Sequence, residues 1–599
     1  MAPAAAISQE SSMMSPEDSF RMDSEESFEP VDERDPQEIL AERAKARKQK
    51  IIVVLSAIIL VSMVMAISIS MLLSEIADPE HAPGGPGPSS SLQKIQALCS
   101  LTDYRDLCIS SISSYSGLHM EDPRDLIMYS IQAASDSVAV ARRMAIKLAQ
   151  TIGEGRTRWA LSDCDLLLRY AYEELRAARA SMDGDTVMDI PGKIEDIVNY
   201  LSAAVTYQWT CSEGLQGTNG GVRDRVTGVL RNGTEMSRNS LAMMSEVPLL
   251  DELLNEGKFG RKLLSDSRGI QVERSFLKGC GDFQTSCRAF PAANVVVAKD
   301  GSGDFQTISE ALKAVAKVPK ERRVIRVKEG VYEETVSVTP DMRDLVMIGD
   351  APENTIITGN RSFNDGLTEY RTATFVASGS YFTAVNITFE NTAAPHNGVA
   401  VAILVESDHA AFFNCHISSH NRPVYAHTHR QFYRNCLISG SIDLIAGDAT
   451  SVFQNCTLQL ETPPGIQRAS ITAQARLDKH QTTGTTLHNC SISGSQGSVY
   501  LGHPTGPRAR VVVAQTEMSG VVEPQGWWAQ EGLDVKGVFY GEFENRGDGA
   551  SLRGRIRWPG FHAMRNPMEV MGFTVGGFIQ GMLWLNKTGV PYYLGLLPT

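Results

Sequence analysis

Residues 412–456 read FFNCHISSHNRPVYAHTHRQFYRNCLISGSIDLIAGDATSVFQNC, and an Asn-Cys pair recurs in them at Asn414-Cys415, Asn435-Cys436 and Asn455-Cys456. Working outward, the same asparagine precedes an apolar residue at Asn386-Ile387 and a cysteine at Asn489-Cys490. The intervals are 28, 21, 20 and 34 residues, and the longest contains Pro463-Pro464-Gly465. An apolar residue follows each asparagine two or three positions later. A period near 20 in a β-rich, Gly- and Asn-punctuated sequence indicates a solenoid whose turns stack like on like. A β-sandwich would instead alternate every 8–12 residues without fixed register. The expected fold of residues 294–599 is therefore all-β, a right-handed parallel β-helix. Cys415, Cys436 and Cys456 fall at equivalent places in successive turns. Strands about 4.8 Å apart would allow disulfides there, and a ladder of buried thiols is equally consistent. The pairing of these three with Cys280, Cys287 and Cys490 stays open.

Upstream the periodicity changes. From 92 to 250 apolar residues recur at helical spacing, as in Leu126, Ile127, Ile131 and Ala134 or Leu166, Leu167, Tyr170 and Leu175. Breaks at Gly153–Gly155, Asp183–Gly192 and Gly214–Gly221 separate the segments. Four or five helices of this length make an all-α bundle. It holds four cysteines, Cys99, Cys108, Cys164 and Cys211. Residues 75–91 form a Pro/Gly/Ser-rich linker and 251–293 a second, polar one.

The N-terminal 50 residues are an acidic and then a basic tail. Eleven acids and two arginines give residues 1–40 a charge of −9, and the next ten residues carry +4, so the remainder bears −8 of the total −13. No basic stripe points to nucleic acid. Residues 51–74 contain no charge, and 24 residues span about 36 Å as a helix, enough for a hydrocarbon core of roughly 30 Å. Basic residues flank its N-terminal side and Glu75 and Asp78 the other. This predicts one N-terminal transmembrane helix, a type II signal-anchor with a cytoplasmic tail and the bulk of the chain in the secretory pathway. Sequons at Asn232, Asn360, Asn386, Asn455, Asn489 and Asn586 fit a glycosylating compartment.

Several segments resemble known families. Cys99 and Cys108 nine apart, Ala160-Leu161-Ser162-Asp163-Cys164, and Tyr200-Leu201-Ser202-Ala203-Ala204 leading to Thr210-Cys211 resemble the invertase and pectin methylesterase inhibitor domain. That resemblance implies a four-helix bundle with disulfides Cys99–Cys108 and Cys164–Cys211. Ala298-Lys299-Asp300-Gly301-Ser302-Gly303-Asp304-Phe305, Gly330-Val331-Tyr332-Glu333-Glu334, Asn386-Ile387-Thr388-Phe389-Glu390-Asn391-Thr392 and Tyr540-Gly541-Glu542-Phe543 resemble the plant pectin methylesterase catalytic domain. In that family an inhibitor-like pro-region precedes the esterase, and Arg261-Lys262-Leu263-Leu264 looks like the processing site between them. The implied substrate is homogalacturonan pectin of the cell wall.

Methyl ester hydrolysis needs a nucleophile, a proton donor for methanol and donors for the oxyanion. The family uses two aspartates, oxyanion glutamines and a steadying Arg. By resemblance Asp443 in Gly440-Ser441-Ile442-Asp443 stands at the nucleophile position and Gln474 on the oxyanion side. Other positions depart from the pattern. Arg422 replaces the acid/base aspartate, Asn421 and Asn397 replace glutamines, and Leu501-Gly502-His503-Pro504-Thr505 lacks the steadying Arg and a substrate-stacking Trp. His503, Thr505 and Tyr425 are the candidate substrate-binding residues. Arg422 and Asp443 are 21 residues apart, the Asn414-to-Asn435 interval, so they are expected to stack on adjacent turns. A guanidinium cannot give up a proton and so cannot serve as general acid.

Three readings follow. The first is a pectin-binding esterase homologue with lost or severely impaired turnover, in which Arg422 binds a galacturonate carboxylate. The second is an active pectin methylesterase with His427, His429 or His503 as the acid. The third places function in the bundle, as an inhibitor of a partner esterase or of its own. No P-loop or ligand-spaced histidines suggest a cofactor or metal.

Overall fold

The structure, a computed structural model, describes residues 90–115, 123–184, 193–218, 220–246, 292–317, 322–461, 468–495 and 498–598. The expected membrane span, the Arg261-Lys262-Leu263-Leu264 site, Cys280 and Cys287 lie outside the described residues. Among the described residues no helix is long and apolar enough to cross a membrane.

Among the described residues six helices come first: α1 (Ser90–Cys99), α2 (Arg105–Ser113), α3 (Pro123–Thr151), α4 (Arg156–Ala180), α5 (Ile194–Gly214) and α6 (Gly220–Ser245). The four long ones, α3 to α6, close around a core that includes Ile131, Val138, Leu168, Leu175, Leu201, Val226 and Leu241. Disulfides join Cys99 to Cys108, linking α1 with α2, and Cys164 to Cys211, linking α4 with α5. Helix α5 is buried almost all round, from Ile197 to Tyr207 and on to Cys211. A helix without a solvated face must be enclosed on both sides. One side of α5 meets the bundle and the other meets the strands that follow.

Those strands form three parallel sheets of eleven, eight and seven strands among the described residues, each turn of chain adding one strand to a sheet. The seven-stranded sheet carries the site. Its members are β1 (Val336–Val338), β2 (Phe375–Ala377), β3 (Ile403–Val405), β4 (Val424–Ala426), β5 (Ile445–Gly447), β6 (Ala469–Gln474) and β7 (Val499–Pro504), hydrogen-bonded in that order. The asparagine repeat sets the register. Asn386, Asn414, Asn435, Asn455 and Asn489 all adopt left-handed backbone, with φ between 51° and 56°. Asn is among the few residues that tolerate this conformation at a sharp corner. Asn414 Nδ2 donates to Asn386 Oδ1 at 2.8 Å, Asn455 to Asn435 at 2.7 Å and Asn489 to Asn455 at 3.1 Å. The sequon asparagines Asn455 and Asn489 thus spend an amide proton on the ladder, while Asn455 itself, Asn232, Asn360 and Asn586 are exposed.

Inside the coil, Phe412, Tyr433 and Phe453 stack in register with ring centroids 4.9 and 4.2 Å apart. Cys415, Cys436, Cys456 and Cys490 line the same core as unpaired, buried thiols. Their Sγ atoms face backbone carbonyls, Cys415 toward Ala384 and Cys436 toward Phe412.

Candidate functional site

Arg422 and Asp443 sit at the corners that lead into β4 and β5. Both have positive φ, 63° and 52°. A parallel bridge between Asn421 and Ile442, with Arg422 N–H donating to Ile442 O at 3.0 Å, places one corner directly on the other. Arg422 Nη2 lies 3.4 Å from Asp443 Oδ2. The tighter partner of the guanidinium is Glu369, whose Oε1 accepts from Nη1. Glu369 comes from a 3-10 turn (Glu369–Thr372) 53 residues earlier in the chain. The guanidinium therefore stands between two carboxylates. Burial alone would lower the Arg422 pKa, but Glu369 and then Asp443 raise it above the usual range. It is a fixed cation.

Asp443 is enclosed on its other edge. Ser470 Oγ donates to Oδ1 at 2.5 Å, and His503 Nε2 lies 2.9 Å from the same oxygen. An ionised carboxylate only accepts, so that nitrogen carries a proton. Burial pushes the Asp443 carboxyl up, but His503, Arg422 and Ser470 together hold it down at about 2. The carboxylate is charged at neutral pH and three donors already surround it. His503 in turn stacks on Trp528, ring centroids 4.3 Å apart, and its Nδ1 is buried without a partner among the described residues.

The remaining candidates separate into those near this centre and those held elsewhere. Tyr425 and Thr505 line a cavity of about 220 Å³ with Arg422, Glu369 and, from α5, Thr210 and Glu213. Asn421 Oδ1 is buried with no partner among the described residues. Asn397 ends a short 3-10 turn (Pro395–Asn397) and is half-buried. Gln474 does not turn toward Asp443. Its Nε2 donates to Asp448 at 3.2 Å, and its Oε1 accepts from the Arg476 and Arg510 amides. His427 and His429 are likewise committed. His427 lies between Glu406 at 2.9 Å and Thr210 at 2.7 Å, and His429 between Asn199 at 3.1 Å and Glu174 at 3.3 Å. Of the three histidines weighed as an acid, His503 alone reaches Asp443. The expectation that Arg422 reads a substrate carboxylate meets a physical obstacle. Both terminal nitrogens already face internal acids, so a substrate anion would have to displace one of them.

Sequence reasoning missed Glu369, Ser470 and the bundle residues that come down on the groove. Thr206 and Thr210 of α5 reach Asp448 (2.6 Å) and His427. Asp196 pairs with Arg430 at 2.7 Å, Asp163 of α4 with Arg371 at 2.6 Å, and Arg238 of α6 with Asp478 at 2.5 Å. Burial and the nearby Glu369 raise the Glu213 pKa. Among the described residues no cluster of His, Cys, Asp and Glu is arranged to hold a metal.

Residues 294–582 match the family model described as Pectinesterase, and residues 93–243 match Plant invertase/pectin methylesterase inhibitor. The chain is similar to "Probable pectinesterase/pectinesterase inhibitor 21" of Arabidopsis thaliana, 34% identical over 570 residues that cover 93% of this chain and 84% of the relative. It is 34% identical over 522 residues to "Pectinesterase 3" of Citrus sinensis, covering 84% and 88% of the two chains. Among solved structures, "Pectin methylesterase from Carrot" superposes with a TM-score of 0.51 at 39% identity, over 52% of this chain and all of that one.

Proposed function

The chain belongs to the pectinesterase family, with an inhibitor-type domain ahead of the esterase-type one, and from that premise we propose that it binds homogalacturonan pectin in the cell wall with its ester-hydrolysing turnover lost or severely impaired. The observation that carries this reading is the Arg422–Asp443 contact at 3.4 Å. A guanidinium occupies the place of the proton donor, and loss of general acid catalysis costs about 10²–10⁴ in rate. Asp443 is also a poorer nucleophile than a free carboxylate, because attack requires breaking contacts to Ser470, His503 and Arg422 that exist in the ground state.

A second reading, an active esterase with His503 as acid, draws support from the 2.9 Å contact between His503 and Asp443. His503 would have to hand its proton to methanol while held against the very carboxylate that attacks. The third reading, the bundle as a cover over its own groove, is compatible with the first and rests on the contacts of α5 with Asp448 and His427. For the segments outside the described residues the proposal keeps a signal-anchor at 51–74, entry into the secretory pathway and cleavage at Arg261-Lys262-Leu263-Leu264.

The test is methanol release from highly methylated pectin, by the full chain and by residues 265–599 freed of the bundle. The expected result is release at least about 100-fold below an intact family member in both forms. Ordinary turnover by residues 265–599 would overturn the reading. Turnover that appears only when the bundle is removed would favour the third reading over the first.

A further inference from the structure

With Arg422 neutralised from two sides, the groove needs another cation if it is to hold an acidic polymer. One stands at its edge. Arg468 immediately precedes β6 and is exposed. It lies two residues before Ser470, the residue that donates to Asp443, and alternate residues of an extended chain share a face. Its guanidinium carbon lies 5.0 Å from the centroid of the Trp528 ring. Trp528 follows a bridge to the edge strand β7, its N–H donating to Gly502 O at 3.2 Å. The same indole stacks on His503, and its buried Nε1 has no partner among the described residues. A continuous row thus runs Asp443, His503, Trp528, Arg468, from the altered centre outward to the edge of the seven-stranded sheet. Arg468 has no carboxylate within ion-pair distance among the described residues. The α5 contacts at His427 and Asp448 fall beside β4 and β5, toward the interior of the sheet.

We propose that Arg468, presented by Trp528, forms a subsite for an un-esterified uronate residue of the polymer, and that this subsite, not Arg422, gives the groove its preference for acidic over methylated chains. The inference rests on the reading that the chain binds pectin. A planar guanidinium matches a carboxylate with two parallel N–H donors, and the aromatic surface beneath it limits the orientations it must give up on binding. A methyl ester removes the charge and one acceptor, so it forfeits that contact.

The experiment measures Kd of the full chain for fully de-esterified and for highly methylated homogalacturonan fragments of equal length. The unmodified chain should bind the de-esterified fragment about tenfold more tightly, the scale of one charge-assisted contact. Arg468→Gln should bring the two values within about twofold of each other by weakening the acidic fragment alone. Arg468→Lys, which keeps charge but not the planar fork, should retain part of the preference, and Trp528→Leu should reduce it. Arg468 is exposed, so an unchanged melting temperature for Arg468→Gln guards against a folding effect. A preference that survives Arg468→Gln overturns the subsite while leaving pectin binding intact. Failure of the unmodified chain to bind either fragment overturns the pectin reading, and the subsite falls with it.

Discussion

Arg422 and Asp443, 21 residues apart, occupy the same corner of successive turns, and Arg422 Nη2 lies 3.4 Å from Asp443 Oδ2. The contact is long for an ion pair because the guanidinium is shared with Glu369, its closer partner. Two carboxylates side by side would push one pKa upward and create a neutral acid. A cation between two carboxylates does the reverse. It holds Asp443 in its charged form and has no proton of its own to donate.

If turnover is impaired as proposed, supplying a proton donor at position 422 should raise it. In residues 265–599, Arg422→Asp combined with Asn421→Gln and His503→Arg should raise methanol release by about 10²–10⁴. Arg422→Asp alone should give less, since His503 would still hold Asp443 through Oδ1. No gain from the triple variant would mean that the groove has changed beyond these three positions.

The Asp443 carboxyl, held at about 2 against an ordinary value of 3.8, makes a signed prediction for stability. Its folded-state pKa is depressed, so its contribution is complete above about pH 4 and is lost as pH falls toward 2. The contribution is about 2 kcal/mol, since each tenfold change in proton affinity is worth about 1.4 kcal/mol. Chemical denaturation at pH 5, 4, 3 and 2 should show a decline that is smaller by about this amount in Asp443→Asn. An equal decline in both proteins would mean that other carboxylates set the acid limit.

Seating of the bundle depends on hydroxyls of α5 that satisfy buried groups of the β-helix. Thr206 donates to Asp448 at 2.6 Å and Thr210 pairs with His427 at 2.7 Å. Thr206→Val with Thr210→Val should cost about 1–3 kcal/mol, chiefly from the orphaned His427 Nε2, because Gln481, Thr483 and Gln474 still donate to Asp448. Hydrogen exchange should then speed up across α5 and the facing segment 425–430, with little change in the sheet opposite.

The aromatic stack inside the coil is a structural element independent of the site. Phe453 is fully buried and its ring centroid lies 4.2 Å from that of Tyr433. Phe453→Ala should destabilise the chain by about 3–5 kcal/mol in urea unfolding. An effect below about 1 kcal/mol would mean that the stack collapses to fill the space.

Legibility followed the period. The asparagine corners could be read from their spacing because each corner needs left-handed backbone, which Asn accepts, and because equal residues stack in a solenoid. The same register predicted that Arg422 would meet Asp443. Glu369 was not legible, because it reaches Arg422 from a turn 53 residues away that belongs to no repeat. For Gln474 the turn was legible but the partners were not. Its motif places it at the right turn of chain, but Asp448 and two backbone amides take its side chain. Trp528 and Arg468 carried no motif at all, and their meeting depends on how a loop folds back along β7.

The sequence alone determined the coil, its register and the stacking of Arg422 on Asp443, since one-dimensional stacking converts spacing directly into contact. Only the tertiary structure decided what that cation does. Glu369 arrives from outside the repeat to share it, α5 descends across the neighbouring strands, and Trp528 folds back to lift Arg468 beside the groove. Such contacts join segments far apart in the chain, and no local periodicity encodes them.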